Sequence, residues 1–243
     1  MLIAIRSVVA YVLILLYIAI AGPIGIFIAV VFRWKSGLWF LGHLGVGLAL
    51  KLTGIRYRLS GREHVLEGPA VYCSNHESNV DPPVLYQAVH PWLHILYKAE
   101  LHKFPIMGIV FDVGGFVPVD RRNLERSMAS LDRGAASLRA GNPFLIFPEG
   151  TRSKTGQLLP FKKGGFIMAI KAQVPVVPVA VRGGRAAMQK GSPWVRPVTV
   201  EIKVGPAVPT AGLTLDDRDA LVARVHAEVR RLLAELDAQR SGA

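Results

Sequence analysis

The longest uncharged segment of the chain, residues 7–32, constrains its fold and location more than any other feature. Its 26 residues are mostly Ile, Val, Leu and Ala, and about 20 apolar residues are enough for a helix to cross the hydrocarbon core of a bilayer. Arg33, Trp34 and Lys35 follow directly, and such cationic and aromatic residues are typical of a membrane interface. We therefore predict a membrane anchor, because a core helix of a soluble protein or a cleaved signal peptide fits this length less well.

The arrangement of the anchor is open between two alternatives. Gly22 and Pro23 interrupt the segment, so a kink or a turn is expected there. A second apolar stretch, residues 38–50, is too short to span a bilayer. The anchor is therefore either one spanning helix with a short interfacial helix after it, or a two-helix hairpin within one leaflet. In both cases the basic residues that follow, such as Lys51 and Arg56, place the remaining chain on the cytoplasmic side of the inner membrane.

A shift in composition near residue 52 divides the chain into the anchor, residues 1–52, and a second domain, residues 53–243. In the second domain short β-rich runs alternate with amphipathic stretches, a pattern typical of α/β proteins. We predict an α/β fold with a mixed, largely parallel sheet flanked by helices and preceded by the membrane-anchoring helix pair. The predicted strands are 55–59, 70–73, 93–97, 116–119, 144–147, 174–181 and 198–204, and the predicted helices are 124–138 and 216–239.

The net charge of the chain indicates which classes of partner it can bind. With 29 Lys and Arg against 17 Asp and Glu, the formal net charge is +12, which favours phosphate head groups, anionic lipid surfaces or acidic proteins. Nucleic acid is not expected, since the sequence has no zinc-ligand spacing and no recognised nucleic-acid motif. The single cysteine, Cys73, excludes an internal disulfide, and we interpret it as a small buried strand residue.

One polar heptapeptide, residues 75–81, follows the apolar run at 70–73 and carries His76 and Asp81 five positions apart. An imidazole takes a proton near neutral pH, and a neighbouring carboxylate fixes its tautomer and stabilises its charged form. The spacing by itself fits either a general base on a loop or an ordinary structural hydrogen bond.

Three further motifs follow in order. The first is a glycine-rich strand, residues 114–119, that leads to Arg121; the second is Phe-Pro-Glu-Gly-Thr-Arg-Ser at 147–153; the third is the Val- and Pro-rich strand at 174–181. With these motifs the chain resembles the glycerolipid acyltransferase family, and within it the 1-acyl-glycerol-3-phosphate acyltransferases. The heptapeptide matches the family pattern NHxSxxD, and the other matches keep the family order. The matching positions are Asn75, His76, Ser78, Asp81, Gly115, Phe116, Arg121, 147–153 and 174–181.

The resemblance implies transfer of a fatty acyl group from a thioester of acyl-carrier protein or coenzyme A to the sn-2 hydroxyl of 1-acyl-glycerol 3-phosphate. His76 would be the general base and Asp81 its partner, while the substrate supplies the nucleophile. Neither a metal nor a resident cofactor is expected, because a thioester is already activated. The alternatives are another acceptor, namely a lyso-aminolipid, another lysophospholipid or glycerol 3-phosphate, or a lipid-binding protein without turnover.

The resemblance also implies a substrate site around the dyad. Arg121 is the leading residue for the acceptor phosphate and Arg152 the second, because guanidinium groups match phosphate oxygens. Glu149 would orient an arginine or accept from the glycerol hydroxyl, or else form a structural salt bridge with Arg152. Lys162 lines the phosphate entrance or faces solvent. The remaining expected substrate-site residues are Asn75 and Ser78, which shape the loop or contact substrate, together with Gly150, Thr151 and Lys98.

Overall fold

A computed structural model describes residues 1–120 and 123–241 of the chain. Within these residues the order of elements begins with two long helices and continues as strands alternating with helices. The elements are α1 (Leu2–Val31), α2 (Lys35–Thr53), β1 (Arg56–Ser60), β2 (Val71–Ser74), α3 (Asp81–Ala88), β3 (His94–Lys98), α4 (Pro105–Val113), β4 (Val117–Val119), α5 (Leu124–Arg139), β5 (Phe144–Ile146), α6 (Gly164–Ala172), β6 (Val176–Arg182), α7 (Gly184–Ala187), β7 (Thr199–Val204) and α8 (Arg218–Ser241).

The strands form one sheet in the order β1-β7-β6-β2-β5-β3-β4. Each neighbouring pair is parallel except β6 and β7, which are antiparallel. This confirms the predicted mixed, largely parallel sheet. Each predicted strand is present with its ends within two residues of the prediction, because short β-rich runs bounded by turn residues are a strong local pattern.

Helices cover both faces of the sheet, as the burial of the central strand β2 shows. Its residues Val71, Tyr72 and Cys73 are fully buried, as expected of a parallel strand packed on both sides. Side chains alternate between the faces of a strand. Val71 and Cys73 accordingly pack with Phe166 of α6 and with α8, while Tyr72 packs with α2 and α3 on the other face. The burial of Cys73 confirms its predicted role.

The two predicted amphipathic helices are α5 and α8. Asn123 caps α5 by accepting a hydrogen bond from the Arg126 N–H at 2.9 Å, which satisfies one of the free donors at a helix start. The predicted face of α8 is buried at Val225, Val229 and Leu232. α8 begins at residue 218 instead of 216, because residues 215–217 form a 3-10 turn closed by a Thr214–Asp217 capping box.

The predicted anchor segment, residues 1–52, folds as a pair of packed helices, as expected. α1 is long and apolar enough to cross a membrane, and is the one such helix in the described part of the chain. It packs against α2 as an antiparallel hairpin, with Gly25 against Leu38 and Gly45 against Tyr17. Of the kink or turn expected at Gly22 and Pro23, the turn is excluded, because α1 continues through Pro23 as one helix.

A short apolar helix that the sequence analysis did not predict, α4, also packs on α1, with Ile106 against Gly22. Contacts also cross the predicted boundary at residue 52. Trp39 of α2 is buried and stacks on Tyr86 and Phe116, with ring centroids 5.6 and 5.5 Å away. The anchor and the α/β domain therefore share one hydrophobic core.

Candidate active site

The His76 loop and the 147–153 motif emerge at the same edge of the sheet. They follow β2 and β5, which are parallel neighbours with Cys73 opposite Ile146. Loops at the carboxyl ends of adjacent parallel strands lie side by side, and this edge is the usual ligand site of open α/β sheets. The Ser153 N–H donates to the His76 carbonyl at 2.8 Å, so the two motifs are bonded to each other.

His76 and Asp81 form a hydrogen-bonded dyad. His76 Nδ1 lies 2.9 Å from Asp81 Oδ2, and the Asp81 side chain is fully buried while that of His76 is 16% exposed. Because a carboxylate oxygen accepts, Nδ1 carries the proton and Nε2 is left as the basic nitrogen. The imidazole stacks on Phe147, with ring centroids 4.2 Å apart, which fixes its plane.

Asp81 Oδ2 accepts three hydrogen bonds. Besides the imidazole, the backbone N–H groups of Glu77 and Ser78 donate to it at 2.6 and 2.7 Å. Asp81 Oδ1 lies against Gly184, where a Cβ atom would come within 2.0 Å of it. The carboxylate is therefore held by three donors on one oxygen and by close packing at the other.

Two other polar residues of the heptapeptide hold the loop. Asn75 exchanges two hydrogen bonds with the backbone of Val181 in β6, at 3.0 and 2.7 Å. The Ser78 hydroxyl donates to the Met188 carbonyl at 2.7 Å. These bonds support the loop-shaping alternative for both residues, and they connect the dyad to the segment that follows β6.

Glu149 supports the dyad from the second motif. Its Oε1 accepts from the His76 N–H at 2.7 Å and its Oε2 from the Leu159 N–H at 3.1 Å. Burial raises the pKa of Glu149 to about 7, against the lowering effect of these two N–H groups. The expected ion pair with Arg152 is absent among the described residues. Glu149 therefore binds the backbone of the dyad loop.

Comparison with known proteins identifies the fold and the family. A family model described as acyltransferase matches residues 56–182, more than half of the chain, and the match includes both dyad residues. The chain belongs to the acyltransferase family. The 1-acyl-sn-glycerol-3-phosphate acyltransferase of Pseudomonas aeruginosa is 31% identical over 239 residues, which cover 96% of this chain and 92% of that protein.

One further relative agrees with the family, and a solved structure agrees with the fold. The 1-acyl-sn-glycerol-3-phosphate acyltransferase of Limnanthes douglasii is 33% identical over 186 residues, 76% of this chain and 66% of that relative, so the match leaves about a third of that relative uncovered. The crystal structure of the 1-acyl-sn-glycerophosphate acyltransferase from Thermotoga maritima has the same fold, with a TM-score of 0.82, 24% identity and 97% coverage of both chains.

Of the other expected substrate residues, Arg121 lies outside the described residues, and Gly150, Thr151 and Arg152 belong to the 147–153 motif beside the dyad loop. Gly150 has a φ of +68° and lies under the side chain of Lys162, which a Cβ atom would meet at 2.9 Å. Thr151 accepts a hydrogen bond from Lys190 at 2.8 Å, and Lys190 also donates to the Arg152 carbonyl. Lys162 is exposed, in keeping with either of its two expected roles.

Lys98 ends β3, one strand beyond β5, and pairs with Glu100 at 3.1 Å in an exposed position. Nothing among the described residues groups three or more His, Cys, Asp and Glu side chains so that they could hold a metal ion.

The sequence analysis missed Glu77 and Arg182. Glu77 is buried beside the dyad and accepts from Arg182 Nη1 at 2.7 Å. A charged residue at the end of the buried apolar strand β6 is the pattern that could have indicated Arg182, since such a charge is rarely buried without a partner. For Glu77, its position between two motif residues offered no comparable indication.

Proposed function

We propose that this acyltransferase transfers a fatty acyl group from a thioester to the sn-2 hydroxyl of 1-acyl-glycerol 3-phosphate, forming phosphatidic acid. The observation that carries the proposal is the bond between His76 Nδ1 and Asp81 Oδ2 at 2.9 Å, which leaves Nε2 as the base at the sheet edge. The names of the bacterial and plant relatives support the choice of acceptor.

In the proposed mechanism Nε2 of His76 takes the hydroxyl proton as the oxygen attacks the thioester carbonyl. The new C–O bond forms, the tetrahedral intermediate collapses, and the C–S bond breaks. The imidazolium then gives its proton to the leaving sulfur, so the products are the ester and the free thiol. The Asp81 carboxylate stabilises the imidazolium, as in the Ser-His-Asp hydrolases, but here the substrate supplies the nucleophile.

The acceptor phosphate would be bound by cations near the dyad. We assign Arg121 as the first candidate and Arg152 as the second, since guanidinium groups form paired bonds to phosphate oxygens. Lys162, which lies over Gly150, and Lys190, which is bonded to Thr151, add positive charge beside the dyad loop. The net charge of +12 suits this anionic acceptor.

The reaction would occur at a bilayer surface, because acceptor and product are both lipids. We place the α1–α2 hairpin in the inner membrane and the sheet on its cytoplasmic side, where basic residues follow the anchor. Both acyl-carrier protein and coenzyme A are anionic, so the charge of the chain suits either thioester donor.

The proposal is tested by measuring acyl transfer by purified wild-type protein with a panel of acceptors. The panel contains lysophosphatidic acid, another lysophospholipid, a lyso-aminolipid and glycerol 3-phosphate, each with acyl-carrier-protein and coenzyme A thioesters. We expect the highest kcat/KM with lysophosphatidic acid. A higher value with another acceptor would reassign the substrate, and no transfer to any acceptor would contradict the enzymatic function.

A further inference from the structure

A chain of charged side chains runs from the dyad loop to the C-terminal helix. Arg182, the last residue of β6, donates from Nη1 to Glu77 Oε1 at 2.7 Å. On its other side, Nε and Nη2 of Arg182 donate to the two carboxylate oxygens of Asp237 in α8, both at 2.8 Å. The guanidinium therefore bridges two carboxylates that lie on opposite sides of it.

Arg182 also binds the loop that follows the 147–153 motif. Its Nη1 donates to the Gly156 carbonyl at 2.9 Å. One planar group with donors in fixed directions thus connects three segments that are distant in the sequence. Because a guanidinium presents its donors in a rigid fork, lysine cannot reproduce this set of bonds.

The position of these charges argues against a purely stabilising role. The side chains of Glu77 and Arg182 are only 5% and 17% exposed. The cost of removing two charges from water offsets much of their attraction, so a buried ion pair by itself contributes little net stability. Net stability therefore does not explain why an ion pair is buried beside the dyad loop. The hydrogen bonds of Glu77 indicate a different role.

Glu77 connects the ionic chain to the dyad through its backbone. The N–H of Glu77, which belongs to the peptide that joins it to His76, donates to Asp81 Oδ2 at 2.6 Å. That same oxygen holds the imidazole of His76. Fixing the Glu77 side chain therefore restricts the rotation of this peptide and keeps the N–H directed at the carboxylate.

We propose that Arg182 is a positioning residue, which together with Asp237 and Glu77 lets the C-terminal helix hold the His76–Asp81 dyad in its reactive geometry. None of the three touches the reacting atoms. The inference rests on the proposed role of the dyad, because it concerns the orientation of the base. A misplacement of about 1 Å in a catalytic group can cost about 100-fold in rate. We therefore expect a loss of positioning to lower kcat.

The first test replaces Asp237 by Asn, since this carboxylate is 53% exposed and its loss leaves the core intact. The matched control is Glu235→Gln. Glu235 is on the same helix and pairs with Lys203 of β7 at 2.7 Å, without contact to the dyad loop. We expect kcat to fall about tenfold in Asp237→Asn with the KM of both substrates within about twofold, and no change in Glu235→Gln.

A second measurement does not depend on turnover. Hydrogen exchange of the peptide that covers residues 75–81 is followed by mass spectrometry in the wild type and in both variants. We expect faster exchange in Asp237→Asn alone, because the Glu77 N–H loses its fixed orientation. Arg182→Gln is expected to give the same effect more strongly, and Arg182→Lys an intermediate one, since lysine keeps the charge but not the fork.

The outcomes separate the inference from the proposed function. Equal exchange in Asp237→Asn and wild type would overturn the positioning role, whatever the activity. Faster exchange with unchanged kcat would overturn its importance for catalysis. If the wild type transfers no acyl group, the proposed function fails, and hydrogen exchange alone then decides whether Arg182 holds the loop.

Discussion

The protonation of Glu149 gives the most quantitative prediction. This carboxylate is buried behind the dyad and accepts from the His76 and Leu159 N–H groups. Burial raises its pKa from the ordinary 4.5 to about 7. The native state therefore binds a proton at Glu149 more tightly than the unfolded state does, and stability must depend on pH in the interval between these two values.

The direction in which stability changes with pH follows from that difference in proton affinity. The stabilising contribution of protonated Glu149 is fully present below pH 4.5 and is lost as the pH rises through about 7. Each tenfold difference in proton affinity corresponds to about 1.4 kcal/mol, which sets an upper limit of about 3 kcal/mol. Solvent screening reduces this limit, and we expect a loss of about 1–3 kcal/mol.

The assay compares the unfolding free energies of wild type and Glu149→Gln in detergent between pH 5 and pH 8. Gln cannot titrate, so the wild type should lose about 1–3 kcal/mol relative to the variant across this interval. If the difference in unfolding free energy between wild type and Glu149→Gln stays constant within about 0.5 kcal/mol across this interval, the argument from burial is refuted. Glu235→Gln serves as control, because the hydrogen bond from Lys203 lowers the pKa of Glu235 and its difference from wild type should stay flat above pH 5.

Two further predictions concern the dyad and the acceptor. In Gly184→Ala, the new Cβ would lie 2.0 Å from Asp81 Oδ1, so we expect kcat to fall at least about 100-fold. Gly68→Ala, where a Cβ would meet no atom within 4 Å, should keep full activity; activity within about twofold of wild type in Gly184→Ala would contradict the packing argument. For Arg121→Ala, loss of charge-assisted bonds to phosphate should raise the KM for lysophosphatidic acid about 10- to 100-fold and leave the donor KM unchanged. An unchanged acceptor KM would remove Arg121 from the phosphate site.

The sequence predicted those features that local patterns determine. The strands were predictable because each is a short β-rich run bounded by turn residues. The dyad was predictable because His76 and Asp81 lie within one loop of the chain. Their separation of five residues allows the side chains to meet when the segment leaves β2 and enters α3.

Features that depend on tertiary contacts were not predictable. Glu77 and Arg182 are 105 positions apart, and neither residue indicates its partner through sequence spacing. Glu149 was expected to contact Arg152 or the substrate, but in the structure it accepts a hydrogen bond from the backbone N–H of His76. The continuation of α1 through Pro23 has a physical reason as well, because neighbouring groups in an apolar helix compensate for the one hydrogen bond that proline removes.

The most direct test of the account is acyl transfer to lysophosphatidic acid by wild type and by His76→Ala, measured as phosphatidic acid formed from a labelled thioester. His64, whose side chain is 37% exposed, provides the control variant, His64→Ala. We expect His76→Ala to remain folded, as judged by an unchanged Tm, and to lose acyl transfer, while His64→Ala retains the wild-type rate. Phosphatidic acid formed by folded His76→Ala at the wild-type rate would contradict the assignment of His76 as the general base.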